Sequence, residues 1–225
     1  MKQPDSLESQ AEATLLQQAA TIQALQGSRG NLGVLGLARR VQRDMSAAID
    51  SLPSKSRHAC APGCFFCCYL PVDVLAPEAF LIAAHLQRTR SASELTSLLC
   101  RLAAHGQHDF GQRACVFLAQ GQCSIYDVRP LVCRGYNSLS KERCEAFYHD
   151  ASVDLTGTKD HTAARLAEAT QEGVIAGLKA LGLEAQWYEL ATAVLRALET
   201  DGGAARWARG EPVFEGCDEV FQWPC

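Results

Sequence analysis

The sequence predicts a mainly α-helical protein with one short β-hairpin, built around a cysteine-rich segment. Three observations carry that expectation. Apolar residues recur at three- and four-residue intervals through most of the 225 residues, which is the period of one helix face. Only the stretch 114–126 places β-formers on both sides of a glycine-bearing turn, the mark of a hairpin. Cys60, Cys64, Cys67 and Cys68 fall within nine residues, and Cys115, Cys123, Cys133 and Cys144 follow.

Taken in order, residues 5–26 read as a helix. Asp5 can cap it, with Glu8 at the third helical position, and Leu7, Ala11, Leu15, Ile22 and Leu25 form its stripe. Residues 27–31 break it. A second helix carries Val34, Ala38, Val41, Met45, Ala48 and Leu52 at near-heptad spacing, so the two are expected to pack as a hairpin. The polar stretch 53–57 leads to the first cluster. Pro62 and Gly63 disfavour a helix through Cys60. Cys60 is therefore expected on a turn, with Cys64, Cys67 and Cys68 on the first turns of a helix.

Residues 71–76 read as extended, and Pro77 followed by Glu78 opens a helix to about Arg90. A further helix is expected from Ser93 to Ala104, with Cys100 in its apolar face beside Leu98, Leu99 and Leu102. His105 and His108 are expected at the surface. The hairpin is expected to carry Cys115 and Cys123 on paired strands, and Pro130 to start a helical turn that delivers Cys133. Two more helices follow, Asp160 to Leu181 and Glu184 to Thr200. The aromatic tail, with Trp207, Phe214, Phe221 and Trp223, is expected to dock on the body, because exposed it would be sticky. This organises the chain as an N-terminal helical hairpin (1–57), a cysteine-cluster metal-binding domain (58–150), and C-terminal helices with the tail (151–225) on the same core.

Composition narrows the function. Nearly half the residues are apolar, a fifth are charged, and the formal charge is −4. No basic stripe of the kind that binds nucleic acid is present, and no apolar run reaches the ~18 residues of a membrane span. The N-terminus lacks the apolar core and cleavage site of a secretory signal, so a cytoplasmic location is expected. Protein partners stay unassigned.

The cysteines admit three readings. A disulfide framework needs an oxidising compartment; the count of eleven is odd, and adjacent cysteines, ~3.8 Å apart at Cα, are too close for an unstrained bond between them. A buried core stripe is compatible with helical spacing, but Leu, Val or Ala would serve a core as well. Thiolates converging on a metal explain the residue type itself, because soft sulfur ligands suit zinc or iron–sulfur clusters. Phe65, Phe66 and Tyr69 could then form a dry shell around them. A cysteine nucleophile, Cys64 or Cys67 activated by His58, would not need seven companions.

The first cluster, together with Cys115, the string C-x-I-Y-x-x-R-P-x-x-C-R from Cys123 to Arg134, and Cys144, resembles the YkgJ-type cysteine-cluster family (CxxCxxCC). The spacing from Cys60 to Cys64 is one residue longer than the family's usual gap. The resemblance implies a zinc- or iron-chelating domain with the eight clustered cysteines as metal ligands. It also implies that Arg134 helps bind the cofactor by offsetting thiolate charge. The cofactor is then zinc or iron, with a [4Fe-4S] cluster as one form. The lysine N-methylase that acts on bacterial flagellin carries a similar cysteine pattern, so an iron–sulfur enzyme or a redox protein is the alternative.

Overall fold

The computed structural model describes residues 7–105 and 113–217. In chain order, α1 (Leu7–Gly27) and α2 (Asn31–Asp50) precede the first cysteine cluster, and β1 (Asp73–Val74), α3 (Ala76–Thr89) and α4 (Ala92–His105) follow it. Then come β2 (Leu118–Ala119), β3 (Gln122–Cys123), α5 (Leu131–Gly135) and α6 (Lys141–His149). The chain continues through α7 (His161–Ala180), β4 (Tyr188–Glu189), α8 (Leu190–Glu199) and α9 (Gly203–Ala208). Among the described residues the strands form two antiparallel pairs, β2 with β3 and β1 with β4. The protein is mainly helical, as the periodicity predicts.

The core is built where helix periodicity puts apolar residues on one face. Val34, Ala38, Val41 and Met45 of α2 are all buried, as is Leu37 between them. They meet α3, which packs in turn on α8. Phe80 of α3 lies 6.2 Å from the Trp207 ring and 5.1 Å from Phe214. That part of the aromatic tail is docked; Phe221, Trp223 and Cys225 lie outside the described residues, as do Asp5 and His108.

Three elements depart from the sequence expectation. First, α1 packs mainly along α7 rather than forming a simple hairpin with α2. Leu15 is 64% exposed and Ala11 is also exposed. The buried face instead runs through Thr21 and Leu25. Close approach of the two backbones decides this, not hydrophobicity. A Cβ at Gly173 would lie 2.5 Å from Gln17 Cβ, and one at Gly177 would lie 2.6 Å from Thr21 Cβ. Gly177→Val is therefore expected to destabilise the protein by roughly 1–3 kcal/mol through overpacking. Denaturant unfolding would measure it, and an unchanged midpoint would show that α1 can slide away.

Second, Cys100 is exposed, not core. Leu98 and Leu102 are the buried residues of α4. Cys100 stands two residues from each, about 200° round the helix. Third, the last long helical region begins as strand. Tyr188 pairs with Val74 and Glu189 with Asp73, and α8 starts only at Leu190. Glu189 caps it, accepting from Ala191 N at 2.9 Å and Thr192 N at 2.7 Å. The expected stop at 201–203 holds, but Gly202, at φ 63°, turns the chain directly into α9.

Candidate metal centre

Four segments bring the clustered cysteines together. The first follows a 3-10 turn, Pro53–Arg57, and is anchored by Ala59 N donating to Ser138 O at 2.8 Å. Gly63 adopts φ 84°, a left-handed conformation that glycine takes without steric cost. Cys67 and Cys68 lie on a second 3-10 turn, Phe66–Tyr69. It ends at Leu70, which is held extended by the following Pro71. The expected helix through Cys64, Cys67 and Cys68 is thus replaced by a tighter turn, with Cys64 ahead of it.

The second segment is the hairpin. Gln120 (φ 52°) and Gly121 (φ 73°) both occupy the left-handed region that a two-residue hairpin turn needs. Cys123 pairs with Leu118, but Cys115 lies ahead of the paired strands, not on them. Its carbonyl accepts from Leu118 N at 2.9 Å, and its own N–H donates to Cys68 O at 2.6 Å. That bond joins the hairpin to the first cluster.

Cys133 arrives on α5, whose first N–H, Leu131 N, donates to Glu78 Oε1 at 2.7 Å. The other oxygen of Glu78 accepts from Leu75 N at 3.1 Å, capping α3. Cys144 arrives on α6, which Ser140 caps by accepting from Arg143 N. The Cys144 thiol donates to Ser138 Oγ at 3.1 Å, and Ser138 N donates to Cys60 Sγ at 3.3 Å. Ser138 therefore links the first cluster to the last cysteine.

The thiols lie within one another's electric field, in two groups that share Cys67. Burial raises Cys60 and Cys64 above the usual thiol range, and the charges of Cys67 and Cys144 raise both further. Burial pushes Cys115 up to about 12 and Cys133 well up, with Cys67 and Cys123 adding to both. Cys67 is raised by its hydrogen bond with Cys68 and then by burial. The eight clustered cysteines are free thiols. Among the described residues, no group of three or more His, Cys, Asp or Glu side chains is placed to hold a metal ion.

Positive charge reaches the group from Arg129. It opposes the rise of Cys67 and Cys123 and lies 3.8 Å over the Tyr126 ring. The Arg134 guanidinium donates to four oxygens: Arg129 O, Asp127 O, Ser46 Oγ and Gln42 Oε1. It pins the cysteine-bearing turn to α2, and its charge opposes the rise of Cys123 only from a distance. An aromatic group lies beside the first cluster in the chain. Tyr148 of α6 contacts Phe65, Phe66 and Tyr69.

Sequence reasoning missed two polar supports. His58, considered as an activator of Cys64, has Nε2 at 2.7 Å from Asp160 Oδ2. The same oxygen accepts from Ser54 Oγ at 2.6 Å, and the other carboxylate oxygen caps α7 through Thr162 N and Ala163 N. Burial opposes ionisation of Asp160, but these bonds hold its carboxyl below the ordinary range. Asp160 could be read as a cap from its position before the helix; its grip on Ser54 and His58 could not. Glu78 is the second. Burial raises it to about 7, against the pull of the Leu131 and Leu75 amides. A raised carboxyl favours folding below its unfolded value near 4.5, and that contribution is lost as pH rises to about 7. The stability difference between wild type and Glu78→Gln is expected to change by about 3 kcal/mol across that window. Denaturant unfolding at several pH values would show it; a pH-independent difference would mean that folding leaves the Glu78 carboxyl unshifted.

The segment that holds all eight clustered cysteines matches a known family. Residues 59–152 match the CxxCxxCC family model, described as a "putative zinc- or iron-chelating domain". The CxxCxxCC segment thus includes the hairpin, α5 and α6 but not the long helices α1, α2 and α7. No curated protein and no solved structure matches the chain. Among the described residues, no helix is long and apolar enough to cross a membrane.

Proposed function

We propose that Cys60, Cys64, Cys67, Cys68, Cys115, Cys123, Cys133 and Cys144 chelate zinc or iron as thiolates. The observation that carries this reading is that separate segments meet at their cysteines: Cys115 N donates to Cys68 O at 2.6 Å, and Ser138 bridges Cys60 and Cys144. Burial and neighbouring charge both oppose ionisation, so thiolates there need a compensating cation. A soft divalent metal supplies it, and sulfur is the ligand it prefers. Arg129 offsets part of the net negative charge that four thiolates leave on one divalent ion, and Arg134 fixes the turn that presents Cys133.

The chemistry supported is chelation that clamps the hairpin, α5 and α6 onto the first cluster. Elemental analysis of anaerobically purified protein tests it directly. Stoichiometric zinc or iron is the expected result, and protein that holds neither after reconstitution would overturn it. Absorbance near ~400 nm would identify an iron–sulfur cluster, and colourless protein with zinc would identify a thiolate zinc site.

A further inference from the structure

A cleft of about 510 Å³ opens beside the cysteine region, between α5, α7 and the β1–β4 pair. Its size lies within the range of small-ligand sites. Ala164, Ala167, Glu168 and Gln171 share one face of α7 and line it. The two alanines leave the space. Trp187 supplies an aromatic wall, and Lys159 lies at the end nearest the start of α7. The Lys159 backbone is fixed by an antiparallel bridge to Ser138.

Three groups in this cleft are unused within the described fold. Lys159 and Glu168 carry opposite charges, and neither side chain has an ion-pair or hydrogen-bond partner among the described residues. Gln171 is 8% exposed, and its buried Nε2 donor meets no acceptor. An unmatched buried donor is costly, and a carbonyl oxygen would satisfy it. The lining therefore offers a cation for a carboxylate, an anion for an ammonium, and an amide donor for a carbonyl. Between them lie alanine methyls and an indole. From Ala164 to Gln171 the floor is about 10 Å long, the reach of roughly three extended residues.

We propose that this cleft binds a short peptide, its carboxylate at Lys159, its ammonium at Glu168 and its apolar middle against Ala164, Ala167 and Trp187. The site needs no metal for its recognition, so it stands or falls separately from chelation by the cysteines.

Isothermal titration of the full-length, metal-replete protein with the tripeptide Ala-Leu-Ala tests it, alongside the N-acetylated and C-amidated forms. Each block is expected to weaken binding about tenfold or more. Lys159→Met should remove the preference for acid over amide and keep the preference for free over acetylated amine. Glu168→Gln should do the reverse. Thermal melts of both variants check folding, and where one melts early the two blocked peptides against wild type decide. No saturable binding of the free tripeptide at millimolar concentration, or equal binding of all three, would overturn the proposal.

Discussion

Cys67→Ser is expected to lose most of the bound metal, Cys144→Ser less, and Cys100→Ser none. The ranking follows from position. The charge of Cys67 raises Cys60 and Cys64 on one side and Cys115 and Cys133 on the other. Cys144 raises only Cys60 and Cys64 among the thiols. A serine hydroxyl is a hard, poorly ionised group and does not replace a thiolate on a soft metal. Losing metal should also loosen the hairpin, α5 and α6 together, because the shared metal closes the long loop between Cys68 and Cys115. Structural zinc contributes about 10–16 kcal/mol of apparent folding free energy in small zinc domains, so even partial loss has a large effect. Cys100 is exposed on α4, so its replacement should change stability by only ~0.5 kcal/mol or less. Metal content and limited proteolysis of the three anaerobically purified variants would measure the order. Equal metal in all three would mean that the first cluster is not the site.

Metal affinity is expected to rise steeply with pH. Cys60, Cys64, Cys67, Cys115, Cys123 and Cys133 are all raised above the ordinary thiol range by burial and by one another. Without metal these thiols stay protonated at neutral pH. Stability from neutral thiols is present below the unfolded value near 9 and is lost as pH climbs through the higher folded values. Metal reverses the balance, because each ligand must give up its proton. With four protons released per ion, the binding constant should gain up to ~10⁴ per pH unit near neutrality. Competition against a chelator of known proton affinity, from pH 6 to 8, would give the slope. A slope of zero would show that the thiols are already ionised or do not bind.

Much of this was legible because it rests on local rules. Helical periodicity placed α2, α3, α4 and α7 close to where they lie. Gly121 and the β-formers around it placed the hairpin, and Asp160 placed the start of α7. Where local rules compete, sequence fell short. The sequence predicts an α-turn at Cys67 and Cys68, where the structure has a 3-10 turn. The α1 face was misread because Thr21, not Leu15, meets α7, where glycines bring two backbones together. Hydrophobic pattern alone carries no information about such close approach.

By itself, the sequence determined that thiols rather than aliphatic side chains gather in this protein, and that helices surround them. Residue identity and spacing act within a few residues, and that is as far as a pattern in the chain can reach. Only the tertiary structure decided how the cysteine segments meet, with Cys115 bonded through its backbone to Cys68 and Ser138 bridging Cys60 and Cys144. Only it showed that Glu78 and Asp160 hold the segments in place. Those relations join residues 53 to 106 positions apart, and burial sets their strength. Both distance in space and burial exist only once the chain has folded.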